Sequence, residues 1–169
     1  LVSGPTALSA PPGVERVHVE TAEEMYRAVL AKLEPAGVII KAAAVADYRP
    51  KRRADRKIKK DHAVPEVALE RTPDILAELG KRKGKRILVG FAAETDDLLE
   101  NAAKKLQRKN LDLVVANDVQ EAGAGFDVDT NVVTILDAAG GVEKLPLLPK
   151  REVADRILDR VTTLLRKSA

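Results

Sequence analysis

The run "GVIIKAAAVA", residues 37–46, decides how the chain is read. Its apolar residues follow one another without alternation, as in a parallel strand covered on both faces. Such a strand needs helices above and below it, and the flanking sequence supplies them. On the N-terminal side, "VERVHVE" (14–20) alternates like a strand. Thr21 and Glu24 then form a capping box that opens a helix over "AEEMYRAVLAKL" (22–33), which Pro35 and Gly37 end. On the C-terminal side, "EVALERT" (66–72) reads as a short strand, Thr72-Pro73-Asp74 as a helix start with Thr72 as N-cap, and Gly80 as that helix's end. "RILVGFAAE" (86–94) is a second buried strand, "TDDLLENAAKKLQRK" (95–109) a helix capped by Thr95 or Asp96, and "NLDLVVAND" (110–118) a third strand. This succession predicts an α/β fold, a Rossmann-like doubly wound parallel sheet.

The pattern changes after residue 120. "GAGFDVDTN" (123–131) reads as a loop, and "NVVTIL" (131–136), "DAAGG" (137–141) and "VEKLPL" (142–147) as an added antiparallel hairpin. "KREVADRILDRVTTLLRK" (150–167) carries apolar residues at helical spacing and closes the fold as an amphipathic helix. No repeat or low-complexity tract divides the chain, so residues 1–169 are expected to form a single domain.

Composition narrows the chemistry. Hydrophobic residues make up 45% and charged residues 33%, the balance of a globular protein and not of a disordered tail. Without cysteine there is no disulfide, thiolate nucleophile or Cys-ligated zinc, which agrees with a reducing cytoplasm. No apolar run reaches the roughly 20 residues of a membrane span, and a cytoplasmic protein with no membrane partner is expected. The net charge of +3 is small, and much of the basic excess sits in 49–60 and 81–86. That suits a local anionic ligand, although a solvated basic loop fits the same pattern. Aromatic residues, at 2%, are too few for a base-stacking surface, so no nucleic-acid partner is expected.

In open parallel sheets, ligands bind beyond the carboxyl ends of the strands. Three such ends share a pattern: small residues followed by Asp47, by Phe91 and Glu94 around a pair of alanines, and by Asn117 and Asp118. Small residues let a ligand approach the backbone and the polar residues orient it. Lys105 and Lys109, four apart on one helix, share a face and suit a polyphosphate. The helix start at Pro73-Asp74 offers unpaired N–H groups to a phosphate or a base carbonyl. Lys57, Lys59 and Lys60 lie in a loop bounded by Arg49-Pro50 and Pro65, a natural flap over bound anions. The chain has no P-loop and no G-x-G-x-x-G, and its only histidines are His18 and His62. A Ser-His-Asp triad, a His-rich metal site and the usual hydride-transfer fingerprint are therefore not expected.

"AAAVADYRP", "KIKK", "RTPDIL", "VGFAAET", "KNLDLVVAND" and "GFDVDTN" follow one another in an order similar to that of bacterial phosphopantothenoylcysteine synthetases, the C-terminal half of a bifunctional coenzyme A biosynthesis protein. The resemblance covers nearly the whole chain. It implies CTP-dependent activation of 4′-phosphopantothenate as an acyl-cytidylate, followed by amide formation with cysteine. It further implies Mg²⁺ as the accompanying cation, a homodimer, and a decarboxylase domain on the same parent chain. Position by position, it implies a nucleotide site at Lys41, Ala42, Ala43, Asp47, Pro73, Asp74, Ile75, Leu76, Phe91, Lys105 and Lys109, a catalytic Lys57 in the flap, and substrate contacts at Ala116 and Asn117. Family members also carry a Gly-rich strand end and an "SSGKMG" segment before "LVSGPT". Neither occurs here, so a fragment lacking the first β-α unit is expected. The alternatives are a nucleotide-binding fragment or a dimerisation module without turnover, with the hairpin of residues 126–146 as its interface.

Overall fold

The computed structural model describes residues 1–52, 56, 66–94, 97–118, 123–125 and 128–168. From the N-terminus come β1 (Val2–Ser3), β2 (Val17–His18), α1 (Ala22–Ala31), β3 (Val38–Lys41), β4 (Tyr48–Pro50) and β5 (Leu69–Arg71). They are followed by α2 (Ile75–Arg82), β6 (Ile87–Glu94), α3 (Leu98–Arg108), β7 (Leu113–Asp118) and β8 (Thr130–Asn131). The chain closes with β9 (Val133–Asp137), β10 (Val142–Lys144), β11 (Leu148–Pro149) and α4 (Lys150–Ser168). Two compact units result: Leu1–Lys32 with Ala43–Asp74, and Leu33–Ala42 with Ile75–Ala169.

The second unit holds a five-stranded sheet in the order β10-β9-β7-β6-β3. β3, β6 and β7 are parallel, and the β9–β10 hairpin extends the sheet antiparallel to β7. This is the expected doubly wound α/β architecture with its added hairpin. Side chains alternate between the two faces. Ile87, Val89, Leu113, Val115, Val133 and Ile135 form one face and pack on Val153, Ile157 and Val161 of α4. The other face carries Gly90, where an added Cβ would lie 2.9 Å from Leu76 Cδ2 of α2 and 2.8 Å from Leu111 Cδ1. Glycine is needed there so that α2 can approach the sheet.

Several expectations change in this unit. The 37–46 run is not a central strand covered on both faces. Only Val38–Lys41 is strand, it forms the edge of the sheet among the described strands, and Ile40 is 41% exposed. Arg86 fixes this edge by donating from Nε to the Leu33 carbonyl at 2.9 Å, while Ile87 N donates to Gly37 O at 3.0 Å. Gly80 does not end α2, which continues to Arg82. α3 begins at Leu98 after Asp97, a left-handed N-cap residue without a side-chain cap bond; Thr95 and Asp96 lie outside the described residues. Part of the 123–131 loop is strand, because β8 pairs with β11.

In the first unit, β1 and β2 form a parallel pair and β4 and β5 an antiparallel one. The expected 14–20 strand shrinks to Val17–His18. The capping box of α1 is present as read. Thr72 does not cap α2; its hydroxyl donates to the Ala46 carbonyl at 2.5 Å, and its N–H to the Asp47 carbonyl at 2.9 Å. Among the described residues, no helix is long and apolar enough to cross a membrane.

Candidate functional site

The carboxyl edge of the parallel strands is stepped. β3 stops at Lys41, level with Gly90, while β6 and β7 run on through Phe91↔Val115, Ala92↔Ala116, Ala93↔Asn117 and Glu94↔Asp118. Beyond Lys41 the chain continues as Ala42, Ala43 and Ala44, all exposed. An exposed run of methyl groups at a strand end leaves the backbone open to a ligand.

Alternation sorts the sequence-derived residues of the second unit between two faces. Lys41, Gly90, Ala92 and Ala116 share the face that receives α2 and α3. Leu76, near the start of α2, sits against Gly90 and so beside the level of Lys41. Ile75 is 2% exposed and begins the helix, whose N-terminal end carries the partial positive charge of the helix dipole. Lys105 lies in the last turn of α3 and Lys109 is its C-cap. α3 runs antiparallel to the strands, so these two backbone positions lie toward their amino ends. The Lys109 carbonyl there meets Gly80 of α2. Ala116 is completely buried, so its methyl is a packing group.

Phe91, Ala93 and Asn117 occupy the opposite face, on the side of α4. Phe91 packs partly buried against the core cluster. Asn117 is 9% exposed, and its Oδ1 has no hydrogen-bond partner among the described residues. Ala93, its register partner, is exposed. The fold thus brings Lys41, Ile75, Leu76, Lys105 and Lys109 to one face, and Phe91 with Asn117 to the other. Parity along β6 and β7 separates Phe91 and Asn117 from Ala92 and Ala116, but which helix covers each face is not in that pattern.

In the first unit, Ala43 and Asp47 are exposed, Pro73 is half-buried and Asp74 exposed. The two Thr72 bonds set the loop around Asp47 beside the segment that leads to Pro73. Sequence reading missed this clamp. Its signal was the β4–β5 pairing, in which Tyr48 faces Arg71 and an Arg49–Glu70 ion pair of 2.7 Å spans the strands. Lys57 and the rest of the 57–65 flap lie outside the described residues. Among the described residues, no three His, Cys, Asp or Glu side chains group as a metal site. An apolar groove of about 260 Å³ lies between Leu106 of α3 and Val142 of β10, toward the amino ends of the parallel strands.

Helices on both faces of a parallel sheet with an open carboxyl edge place the chain in the class of doubly wound α/β proteins, which hold their ligands in that crevice. The chain belongs to the DNA/pantothenate metabolism flavoprotein C-terminal domain family, whose model matches residues 1–165. It is 48% identical over 165 residues to the coenzyme A biosynthesis bifunctional protein CoaBC of Bacillus subtilis, covering 97% of this chain and 41% of that protein. It is 42% identical over 167 residues to the protein of the same name in Escherichia coli K12, covering 96% of this chain and 41% of the relative. The chain therefore spans less than half the length of these relatives. A crystal structure of the C-terminal domain of a CoaBC protein superposes with a TM-score of 0.81 at 44% identity, covering 98% of this chain and 74% of that one. The DNA/pantothenate metabolism flavoprotein of Streptococcus pneumoniae shares the fold with a TM-score of 0.80 at 19% identity, over 96% of this chain and 79% of that one.

Proposed function

We propose that the chain carries the phosphopantothenoylcysteine synthetase activity of coenzyme A biosynthesis. The carboxylate of 4′-phosphopantothenate attacks the α-phosphorus of CTP and expels pyrophosphate. The amine of cysteine then attacks the acyl carbon, CMP departs, and an amide remains. Family membership and the coenzyme A names of the relatives support the pathway. The observation that carries the site is the end of β3, where Lys41 runs into the exposed alanines 42–44.

The residues divide the work by charge. Lys41 neutralises the triphosphate at the carboxyl edge, and the first turn of α2 after Pro73 and Asp74, at Ile75 and Leu76, offers its amides to an oxygen of the nucleotide. Lys105 and Lys109, which the resemblance assigns to the same triphosphate, stand toward the amino ends of the strands and are not part of this edge. Ala42, Ala43 and Asp47 line the nucleotide where the strand ends, Phe91 packs beside it, and Lys57 stabilises the charge of the acyl-nucleotide step. Ala116 supports the wall whose next residue, Asn117, faces substrate. Nucleotidyl transfer is accelerated mainly by positioning and charge neutralisation and needs no protein nucleophile, which matches a site built on lysines. Mg²⁺ would be carried by the triphosphate rather than by a cluster of protein carboxylates and would supply further neutralisation of its charge. The working protein is a cytoplasmic homodimer with a decarboxylase domain on the same parent chain.

Calorimetric titration with CTP and ATP in Mg²⁺ buffer, combined with a pyrophosphate-release assay on 4′-phosphopantothenate and cysteine, tests this reading. Saturable CTP binding, weaker for ATP and at least tenfold weaker in Lys41→Ala, is the expected result. CTP binding without pyrophosphate release would favour a nucleotide-binding fragment without turnover. Absence of binding by either nucleotide would refute the site.

A further inference from the structure

We propose that Asn117 is the hydrogen-bond acceptor for a neutral donor group of the bound substrate, a hydroxyl or an amide N–H, at the carboxyl edge on the Phe91 side of the sheet. The inference deepens the ligase reading and rests on it.

The argument starts from an imbalance. Asn117 is 9% exposed and its Oδ1 has no partner among the described residues, an arrangement that costs stability because the oxygen has left water and gained nothing in exchange. The fold does not need an amide there. The two preceding positions of β7 on the same face, Leu113 and Val115, are fully buried hydrocarbon, and so is the neighbour across β9, Val133, at 1% exposure. A leucine or valine at position 117 would continue that core at no polar cost. Buried polar groups without partners that persist against packing are expected where a ligand completes them.

The surroundings give the direction and the chemistry. On the β9 side, Val133 closes the approach. On the β6 side the register partner is Ala93, small and exposed, so we assign the approach of the donor group to that side of the carboxyl edge. An acceptor repels phosphate and carboxylate oxygens, and the lysine proposed for the triphosphate lies on the opposite face. The group that reaches Asn117 is therefore an uncharged donor. Two sources carry one in the proposed reaction: the nucleotide, through its ribose hydroxyls or the N4 amine of cytosine, and 4′-phosphopantothenate, through its hydroxyl and amide N–H.

The test compares Asn117→Leu, which keeps the volume and removes the acceptor, with Asn117→Ala and with Asn117→Thr, which retains an acceptor on a shorter arm. Thermal melting of the free protein and titration with CTP and, separately, 4′-phosphopantothenate are measured for each. The expected result is an unchanged or higher melting temperature for Asn117→Leu, with at least tenfold weaker binding of one ligand and partial recovery in Asn117→Thr. Loss confined to CTP assigns the donor to the nucleotide; loss confined to 4′-phosphopantothenate assigns it to the acyl substrate. If the unsubstituted protein binds the ligands and both Asn117→Leu and Asn117→Ala bind them within twofold of it, Asn117 is a packing residue and the inference is wrong while the ligase reading stands. If the unsubstituted protein binds neither ligand, the ligase reading fails and the inference falls with it.

Discussion

Gly80 is placed in α2 for what it lacks. Glycine inside a helix costs about 1 kcal/mol relative to alanine. Here an added Cβ would run into the carbonyl oxygen of Lys109, and Asn110, held at φ 52°, donates from Nδ2 to the Gly80 carbonyl at 2.9 Å. The usual gain of a Gly→Ala change should therefore reverse: Gly80→Ala is expected to destabilise by about 1–3 kcal/mol in urea unfolding, as overpacked cores do. Gly37→Ala, which meets open space, should stay within about 0.5 kcal/mol. The sequence reading took Gly80 for a helix end because glycine is the common residue there. The reason for this glycine comes from a residue about thirty positions away, and local pattern carries no trace of it. The site was legible to the same depth. Its residues could be picked from strand ends, but their division between two faces depended on cross-strand register.

At the scale of elements, the capping box of α1 read true, whereas the Thr72 cap of α2 and the burial of the 37–46 run did not. The α1 capping box forms as expected: Glu24 N donates to Thr21 Oγ1 at 3.1 Å, while Glu20 N and Thr21 N donate back to Glu24 Oε2 at 2.7 and 3.3 Å. The Glu20 N–H and then the Thr21 N–H stabilise the carboxylate and hold its pKa below the ordinary 4.5. A carboxyl whose pKa is lowered on folding adds stability above its unfolded pKa and loses it as pH falls through the folded value. Thr21→Ala should cost about 1 kcal/mol at neutral pH. The effect of Glu24→Gln on α1 should be present at pH 7 and vanish once the pH is taken well below 4.5, as followed by amide exchange of the first helical turn. The 37–46 run misled for a physical reason. Alanine costs little to expose, so a string of alanines looks the same in sequence whether it continues a core or borders an open edge. Of that run only Val38–Lys41 is strand; the alanines belong to the edge.

The whole molecule distributes its core unevenly. Among the described residues, the buried hydrophobic side chains of the first unit are Val19 and Met25, whereas the second unit buries the full length of β7 through Ala116 together with Leu88, Val89 and Ile135. Local opening follows the density of buried apolar contact. Hydrogen exchange should therefore be slowest at Val89, Val114, Val115 and Ile135, and at least tenfold faster at Val17, His18, Tyr48 and Arg49. Equal protection in both regions would contradict this division.

Gly90 makes one further point about how such a chain can change. β3 ends at Lys41, level with Gly90, and Leu76 of α2 rests on the same glycine. The segment 43–74 thus departs from and returns to one spot on the sheet, as an insertion does. A strand, a short turn and α2 would suffice to make the crossover, since such turns are commonly 2–6 residues. Substitutions, lengthening or shortening within 43–74 are then uncoupled from the register of β3 with β6. Descendants of this chain could rewrite that segment while inheriting the sheet unaltered.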